Sequence, residues 1–194
     1  MKKVMFKTAI VWAVASMVHA GVVINVNEVY NEGTSQTDIV WDWSGSLNLT
    51  GATQVDLFGG FSTFVKVDYA QLWFYSSGNT LAYSISGPSY YALGDGSAYN
   101  SFSSISANTP FAINNGTQVW VGQSYVSGSA ITGTNVMANK TISGIGLDAG
   151  TYVWTMAGSG DKVTMNVVPE PASALLIGAG SLLIVGYRRF FGRV

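Results

Sequence analysis

The chain contains no cysteine and a single histidine, and both absences narrow the chemistry open to it. Without cysteine no disulfide can stabilise the fold, so stability must come from a buried core. The histidine, His19, lies in an apolar N-terminal segment. The rest of the chain therefore lacks the residues that usually activate a catalytic serine or act as a thiol nucleophile. We predict no catalytic residue, no metal site and no cofactor.

Charged residues are also scarce, at 10% of the 194 residues. Residues 21–167 contain three lysines against nine aspartates and glutamates, which gives a net charge of −6. Such a surface repels phosphate backbones, so we predict no binding to nucleic acid. The other basic residues stand beside apolar segments at the two ends of the chain: Lys2, Lys3, Lys7, Arg188, Arg189 and Arg193.

Residues 1–20 have the three-part order of a secretory signal peptide. A basic start is followed by an apolar run from Thr8 to about Val18 and then by His19 and Ala20. This order predicts cleavage between Ala20 and Gly21, and therefore export of the chain that follows. A buried N-terminal helix is the alternative interpretation. The three-part order favours a signal peptide instead, and the apolar run is too short to span a membrane well.

A second apolar segment, residues 172–187, lies close to the C-terminus and carries no charge. As a helix rising ~1.5 Å per residue it would be roughly 24 Å long, slightly short of a hydrocarbon core of ~30 Å. Flanking apolar residues and snorkelling arginines can supply the difference. Arg188, Arg189 and Arg193 follow this predicted transmembrane helix and favour the cytoplasmic side, which leaves the rest of the protein outside.

Pro169, Glu170 and Pro171 stand immediately before this segment. The order of Pro-Glu-Pro, an apolar helix and a terminal arginine cluster, over residues 168–194, resembles the PEP-CTERM sorting signal. The resemblance implies that an exosortase recognises the motif and removes the transient membrane helix. It also implies delivery to the cell surface or extracellular polysaccharide matrix of a Gram-negative bacterium. A plain C-terminal membrane anchor is the alternative.

Between the two ends, residues 21–167 form short strand-like runs separated by turns. Residues 22–30 are rich in β-branched side chains, and residues 37–44 alternate between apolar and polar, which is typical of a strand with one buried face. Asn115-Gly116 is a strong hairpin-turn pair. Further runs are 64–67, 71–75, 81–85, 89–93, 101–105, 111–113, 118–121, 140–142, 150–155 and 162–167. We predict an all-β fold, an antiparallel β-sandwich of the jelly-roll or Greek-key kind.

Three segments of this region, residues 44–51, 125–129 and 150–155, resemble segments that recur in uncharacterised PEP-CTERM proteins. Met156 and the pair Gly122-Gln123 depart from that pattern. The resemblance implies a shared fold but no established activity.

Three functions fit these observations. The favoured one is a noncatalytic surface protein associated with exopolysaccharide. The alternative is a carbohydrate-binding module, in which Trp41 and Trp43 or other aromatic residues stack on sugars, although such rings more often fill the core. The third is a carboxylate-dependent glycosidase. Asp38 and Asp42 would lie roughly 13 Å apart at ~3.3 Å per residue, beyond the ~5–10 Å that such catalysis uses.

Overall fold

We describe the protein from a computed structural model over residues 21–59, 62–75 and 78–169. The predicted signal peptide of residues 1–20 lies outside this part of the chain, so only the Gly21 side of the predicted cleavage junction is described. Glu170, Pro171, the predicted helix over 172–187 and the terminal arginines also lie outside it. No helix within the described ranges is long and apolar enough to cross a bilayer.

The described residues fold into strands joined by turns and two short 3-10 helices, Val67–Tyr69 and Ser143–Ile145. The strands are β1 (Gly21–Asn31), β2 (Gln36–Ser46), β3 (Gln54–Phe58), β4 (Phe64–Lys66), β5 (Gln71–Tyr75), β6 (Thr80–Ser86), β7 (Asn100–Ser101), β8 (Ser104–Ala107), β9 (Phe111–Asn114), β10 (Gln118–Gly122), β11 (Ala130–Met137), β12 (Gly150–Met156) and β13 (Lys162–Val168). The predicted all-β class is confirmed.

The strands form a curled, largely antiparallel assembly of two sheets that face each other. The first sheet has the order β12-β13-β1-β2-β11-β8, and the second has the order β3-β6-β10-β9-β5-β4-β7. Strand β6 joins them, because its last residues, Ile85 and Ser86, pair with β12. Because the two sheets face each other across a shared core, the predicted sandwich is confirmed. A jelly-roll or Greek-key connection pattern stays a prediction.

One pairing in the first sheet is parallel. Strand β13 runs beside β1 in the same direction, from Gly21 opposite Lys162 to Asn27 opposite Val168. These two pairs are six positions apart along each strand, which corresponds to roughly 20 Å at ~3.3 Å per residue. Gly21 and Pro169 therefore lie at opposite ends of the sheet, and the chain leaves β13 directly into the predicted sorting motif.

Apolar side chains from both sheets fill the space between them. In β2 the inward residues are Ile39, Trp41 and Trp43, which confirms the alternation read from the sequence. The indoles of Trp41 and Trp43 pack against Phe74 of the second sheet, with ring centroids 5.8 and 5.0 Å apart. Burial of such large rings supplies the core that a chain without disulfides needs.

The structure also corrects several strand predictions. Residues 89–93 form a turn, because Tyr91 has a left-handed φ of 61° and its N–H donates to the carbonyl of Asp68. Residues 140–142 lead into a 3-10 helix, and residues 101–105 are divided between β7 and β8. The hairpin turn at Asn115-Gly116 is confirmed, with φ of 54° and 66°.

Candidate functional site

Trp41 and Trp43, the two residues predicted to stack on a glycan, lie inside the core. They are 0% and 2% exposed, because the inner face of β2 is covered by the second sheet. Trp154 is also fully buried, and its indole N–H donates to the carbonyl of Pro88 at 2.8 Å. None of these three rings offers a face to a sugar, so the prediction for Trp41 and Trp43 was wrong.

Aromatic rings instead gather on the outer face of the second sheet. We call Phe58, Phe64, Trp73, Tyr99 and Trp120 the aromatic strip. In β5 and β10 these outward tryptophans alternate with residues that point into the core, because successive side chains of a strand face opposite sides. The strip therefore lies on the side of the sheet that faces away from the core.

The rings of the strip are in contact one after the next. Phe58 stacks on Trp120 with centroids 4.3 Å apart and an interplanar angle of 13°. Trp120 and Trp73 are 5.4 Å apart, and Trp73 and Phe64 are 4.5 Å apart. Phe64 then meets Tyr99 edge to face at 4.9 Å. Apart from the slightly closer Phe58–Trp120 stack, these separations fall in the range of about 4.5–7 Å in which aromatic pairs attract.

Two alanines give the tryptophans room to lie flat. Ala82 of β6 and Ala112 of β9 are the direct cross-strand partners of Trp120, one on each side. Ala112 is also the partner of Trp73 in β5. Because only the methyl group of Ala112 stands between them, the rings of Trp120 and Trp73 can approach each other above β9.

The exposure of the rings varies along the strip. Trp120 is only 4% exposed, because Phe58 covers one of its faces, so it forms the base of the cluster. Trp73 and Phe64 are half-buried, and Tyr99 is 66% exposed. The partly exposed rings of the strip are therefore Phe58, Trp73, Phe64 and Tyr99, and the last three follow one another towards the edge of the sheet.

A row of amide side chains lies beside the strip, on the same face. We call Gln118, Asn114 and Gln71 the amide row. Asn114 donates to Gln118 Oε1 at 3.2 Å, and Gln71 donates to Asn114 Oδ1 at 3.4 Å and to Asn115 Oδ1 at 3.0 Å. The Trp120 indole N–H donates to Gln118 Oε1 at 3.0 Å, which links the row to the strip.

The two rows arise from one short pattern that occurs twice. Gln71-Leu72-Trp73 on β5 and Gln118-Val119-Trp120 on β10 flank β9 on its two sides. Each glutamine and tryptophan, two residues apart, therefore points outward on the same face. The repeated Gln-x-Trp spacing was visible in the sequence, and it was the signal that could have located this site.

Lys66 and three tyrosines extend the site past the edge of the sheet. We call Tyr69, Tyr90 and Tyr99 the tyrosine cluster. The Lys66 ammonium contacts both carboxylate oxygens of Asp68, at 2.9 and 3.1 Å, and lies 3.5 Å from the Tyr69 ring centroid. Tyr69 meets Tyr90 at 5.2 Å. The ion pair leaves this end of the site close to neutral, and the cation–π contact helps to fix Tyr69.

A separate cleft surrounds Pro169 at the end of the sheet from which β13 leaves. Its volume is about 370 Å³, and it brings the carboxylates of Glu28, Asp95 and Asp148 to one region. Glu28 Oε1 accepts a hydrogen bond from the main-chain N–H of Ile142. Within the described ranges, however, no group of three or more histidine, cysteine, aspartate or glutamate side chains could hold a metal ion.

Asp38 and Asp42, which we considered as a catalytic pair, accept hydrogen bonds from neighbouring groups of the fold instead. Asp38 is 8% exposed and accepts hydrogen bonds from the Asn31 amide and the Asn139 main-chain N–H, both at 2.9 Å. These bonds, with that of Asn31 the stronger cause, lower the pKa of Asp38. Asp42 accepts from the Thr134 hydroxyl at 2.6 Å. Asp38 therefore links β2 to Asn31 at the end of β1 and to the turn at Asn139, and Asp42 links β2 to β11.

The outer face of the first sheet is mostly polar, although Val23 and Val153 are exposed on it, and its described residues include no comparable group of rings. Its groove of about 330 Å³ is lined by Asn25, Asp42, Ser44, Thr132 and Thr134 among other residues. The aromatic strip and the amide row therefore form the site best suited to a ligand among the described residues. No protein family, curated protein or solved structure matches the chain.

Proposed function

We propose that this is an exported, noncatalytic protein that associates with exopolysaccharide and binds it through the aromatic strip and the amide row. The observation that carries the proposal is the parallel arrangement of these two rows on the outer face of one sheet. Aromatic faces pack against the C–H faces of sugar rings, while amides exchange hydrogen bonds with sugar hydroxyls. Both groups are held in place by neighbouring side chains, so little ordering is needed on binding.

The electrostatics of the site favour a neutral polysaccharide. The ion pair of Lys66 and Asp68, which lies beside the strip, is internally neutralised by two contacts. Residues 21–167 carry a net charge of −6, so an anionic polymer would be repelled. We therefore expect neutral glucans or similar polymers to bind more tightly than uronic-acid polymers.

The sorting part of the proposal comes from the two ends of the chain. A signal peptide over residues 1–20 would export the body, and an exosortase would recognise Pro169, Glu170 and Pro171. It would then remove the transient membrane helix and its arginines at the surface of a Gram-negative cell. The position of Pro169 supports this, because it is exposed and directly follows β13. A processing enzyme could reach the motif without unfolding the core.

Affinity electrophoresis of the purified full-length protein tests the binding. Gels would contain a neutral β-glucan or, in parallel, the anionic polymer alginate. We expect the neutral polymer to retard the protein, and Trp73→Ala to weaken binding by about 1–2 kcal/mol, or about fivefold to thirtyfold. Gln71→Ala should weaken it less.

Tyr30→Ala is the matched control, because Tyr30 is 56% exposed on β1, in the other sheet. It should leave the retardation unchanged. Far-ultraviolet circular dichroism would confirm that each variant is folded. Equal mobility of the wild-type protein in gels with and without every neutral polymer would contradict the proposal.

The acidic cleft around Pro169 keeps a glycosidase as the second candidate. Retaining and inverting glycosidases need two carboxyl groups on either side of the scissile bond. Glu28→Gln and Asp148→Asn would abolish such an activity, measured as release of reducing ends from the β-glucan. We expect no reducing ends from the wild-type protein, and their release would favour this candidate over a noncatalytic role.

A further inference from the structure

The reachable rings follow a line that crosses the strands at nearly a right angle. Phe64 of β4 is the direct partner of Trp73 in β5 and of Ser101 in β7. Tyr99 immediately precedes β7, which is the last strand of the second sheet. A ligand that contacts Trp73, Phe64 and Tyr99 in turn must therefore lie across the strands and point towards the edge of the sheet.

The exposure of the rings differs between the two ends of the line. At the inner end, Phe58 is half-buried and covers Trp120, which is 4% exposed. At the outer end, Tyr99 is 66% exposed, and Tyr69 and Tyr90 are 40% and 48% exposed. Strand β7 has no further neighbour in the second sheet among the described residues, so a bound chain can continue past the edge.

The tyrosine cluster lies outside the strands, with Tyr69 at the end of the 3-10 helix Val67–Tyr69, but it is held in position. Lys66 lies 3.5 Å from the ring of Tyr69 and 5.5 Å from that of Tyr99, while both oxygens of Asp68 hold its ammonium. The main-chain carbonyl of Asp68 also accepts a hydrogen bond from the Tyr91 N–H, and this bond fixes the turn that carries Tyr90. Lys66 thus links Tyr99 to Tyr69, and Tyr69 meets Tyr90 edge to face at 5.2 Å, a spacing similar to that within the strip.

We propose that the site binds an extended, unbranched segment of a neutral polysaccharide, lying across the strands from Trp73 over Phe64 to the tyrosine cluster. This inference rests on the proposed glycan binding and adds the size and direction of the ligand. Each further sugar unit that reaches another ring gains one stacking contact. Affinity should therefore rise with the length of the glycan until the cluster is occupied, and then stay constant.

The experiment measures binding of size-graded β-1,4-linked glucose oligosaccharides, from two to eight units, to the full-length protein by tryptophan fluorescence and calorimetry. We expect affinity to rise by about twofold to tenfold per added ring contact, and to level off near five units. Tyr90→Ala and Tyr99→Ala should remove the gain for long oligosaccharides and leave the shortest ones unaffected. Both side chains are largely exposed, so the variants should fold.

Tyr99→Phe is the matched control, because it keeps the ring and should keep the dependence on length. Affinity that does not change beyond two units, or that Tyr90→Ala and Tyr99→Ala lower equally for every length, would overturn the inference while glycan binding itself stands. Loss of binding when the reducing end is chemically capped would also overturn it, since it would indicate recognition of a chain end. Absence of binding to every member of the series would contradict the proposed function as well.

Discussion

Gly133 occupies a position of β11 where an added methyl group would clash with buried atoms. A Cβ at residue 133 would lie 2.2 Å from Trp43 Cζ2 and 2.7 Å from the main-chain oxygen of Ser106. Trp43 is 2% exposed and packs against Phe74 at 5.0 Å, so its indole has little room to move. The oxygen of Ser106 belongs to β8, which pairs with β11 and is held by the sheet.

Gly133→Ala should therefore destabilise the protein strongly for so small a change. Overpacking of a core costs about 1–3 kcal/mol, and with both a buried ring and a backbone atom in the way we expect about 3 kcal/mol. For a domain of this size each kcal/mol lowers Tm by about 2–4 °C, so Tm should fall by about 6–12 °C. Circular dichroism during heating measures the shift.

Gly59→Ala is the control, because nothing lies within 4 Å of its added Cβ. Its effect should stay within about 0.5 kcal/mol. In a Trp43→Leu background the atom that blocks residue 133 is gone, so Gly133→Ala should cost at least about 1 kcal/mol less than in the wild type. Two outcomes would contradict this reasoning: strictly additive changes in unfolding free energy for the two substitutions, or a Gly133→Ala variant as stable as the wild type. Either would show that a clash with Trp43 is not the reason for glycine at position 133.

Two further predictions concern Asp38 and the C-terminal tail. Hydrogen bonds from Asn31 and from the Asn139 main chain lower the pKa of Asp38, so its contribution to stability is complete above its unfolded pKa of about 4 and disappears as the pH falls below it. Asp38→Asn should therefore be less stable than the wild type in urea at pH 6 and nearly equal to it at pH 2, and a constant difference would contradict this cause. Deletion of residues 169–194 should abolish retention of the protein at the cell surface in fractionated cells, and unchanged retention would contradict the sorting signal.

Local patterns predicted much of the fold. The β1–β2 hairpin, the Asn115-Gly116 turn and the last two strands follow from alternation and turn residues close together in sequence. Strand β11 was missed because Gly133 interrupts its pattern, and the reason for that glycine lies in Trp43, which is far away in sequence. Strand β3 was missed because its residues are mostly exposed and show no buried periodicity.

The sequence by itself determined that the body is all-β, acidic and free of histidine and cysteine, and that each tryptophan-bearing strand has one aromatic face. It could not decide which of those faces is covered. Trp41 on β2 and Trp73 on β5 stand in similar alternating patterns, yet one lies between the sheets and the other on the outer face. Periodicity divides a strand into two faces, but the packing of one sheet on the other selects the buried face. Only the tertiary structure could therefore bring the two Gln-x-Trp segments together as a site.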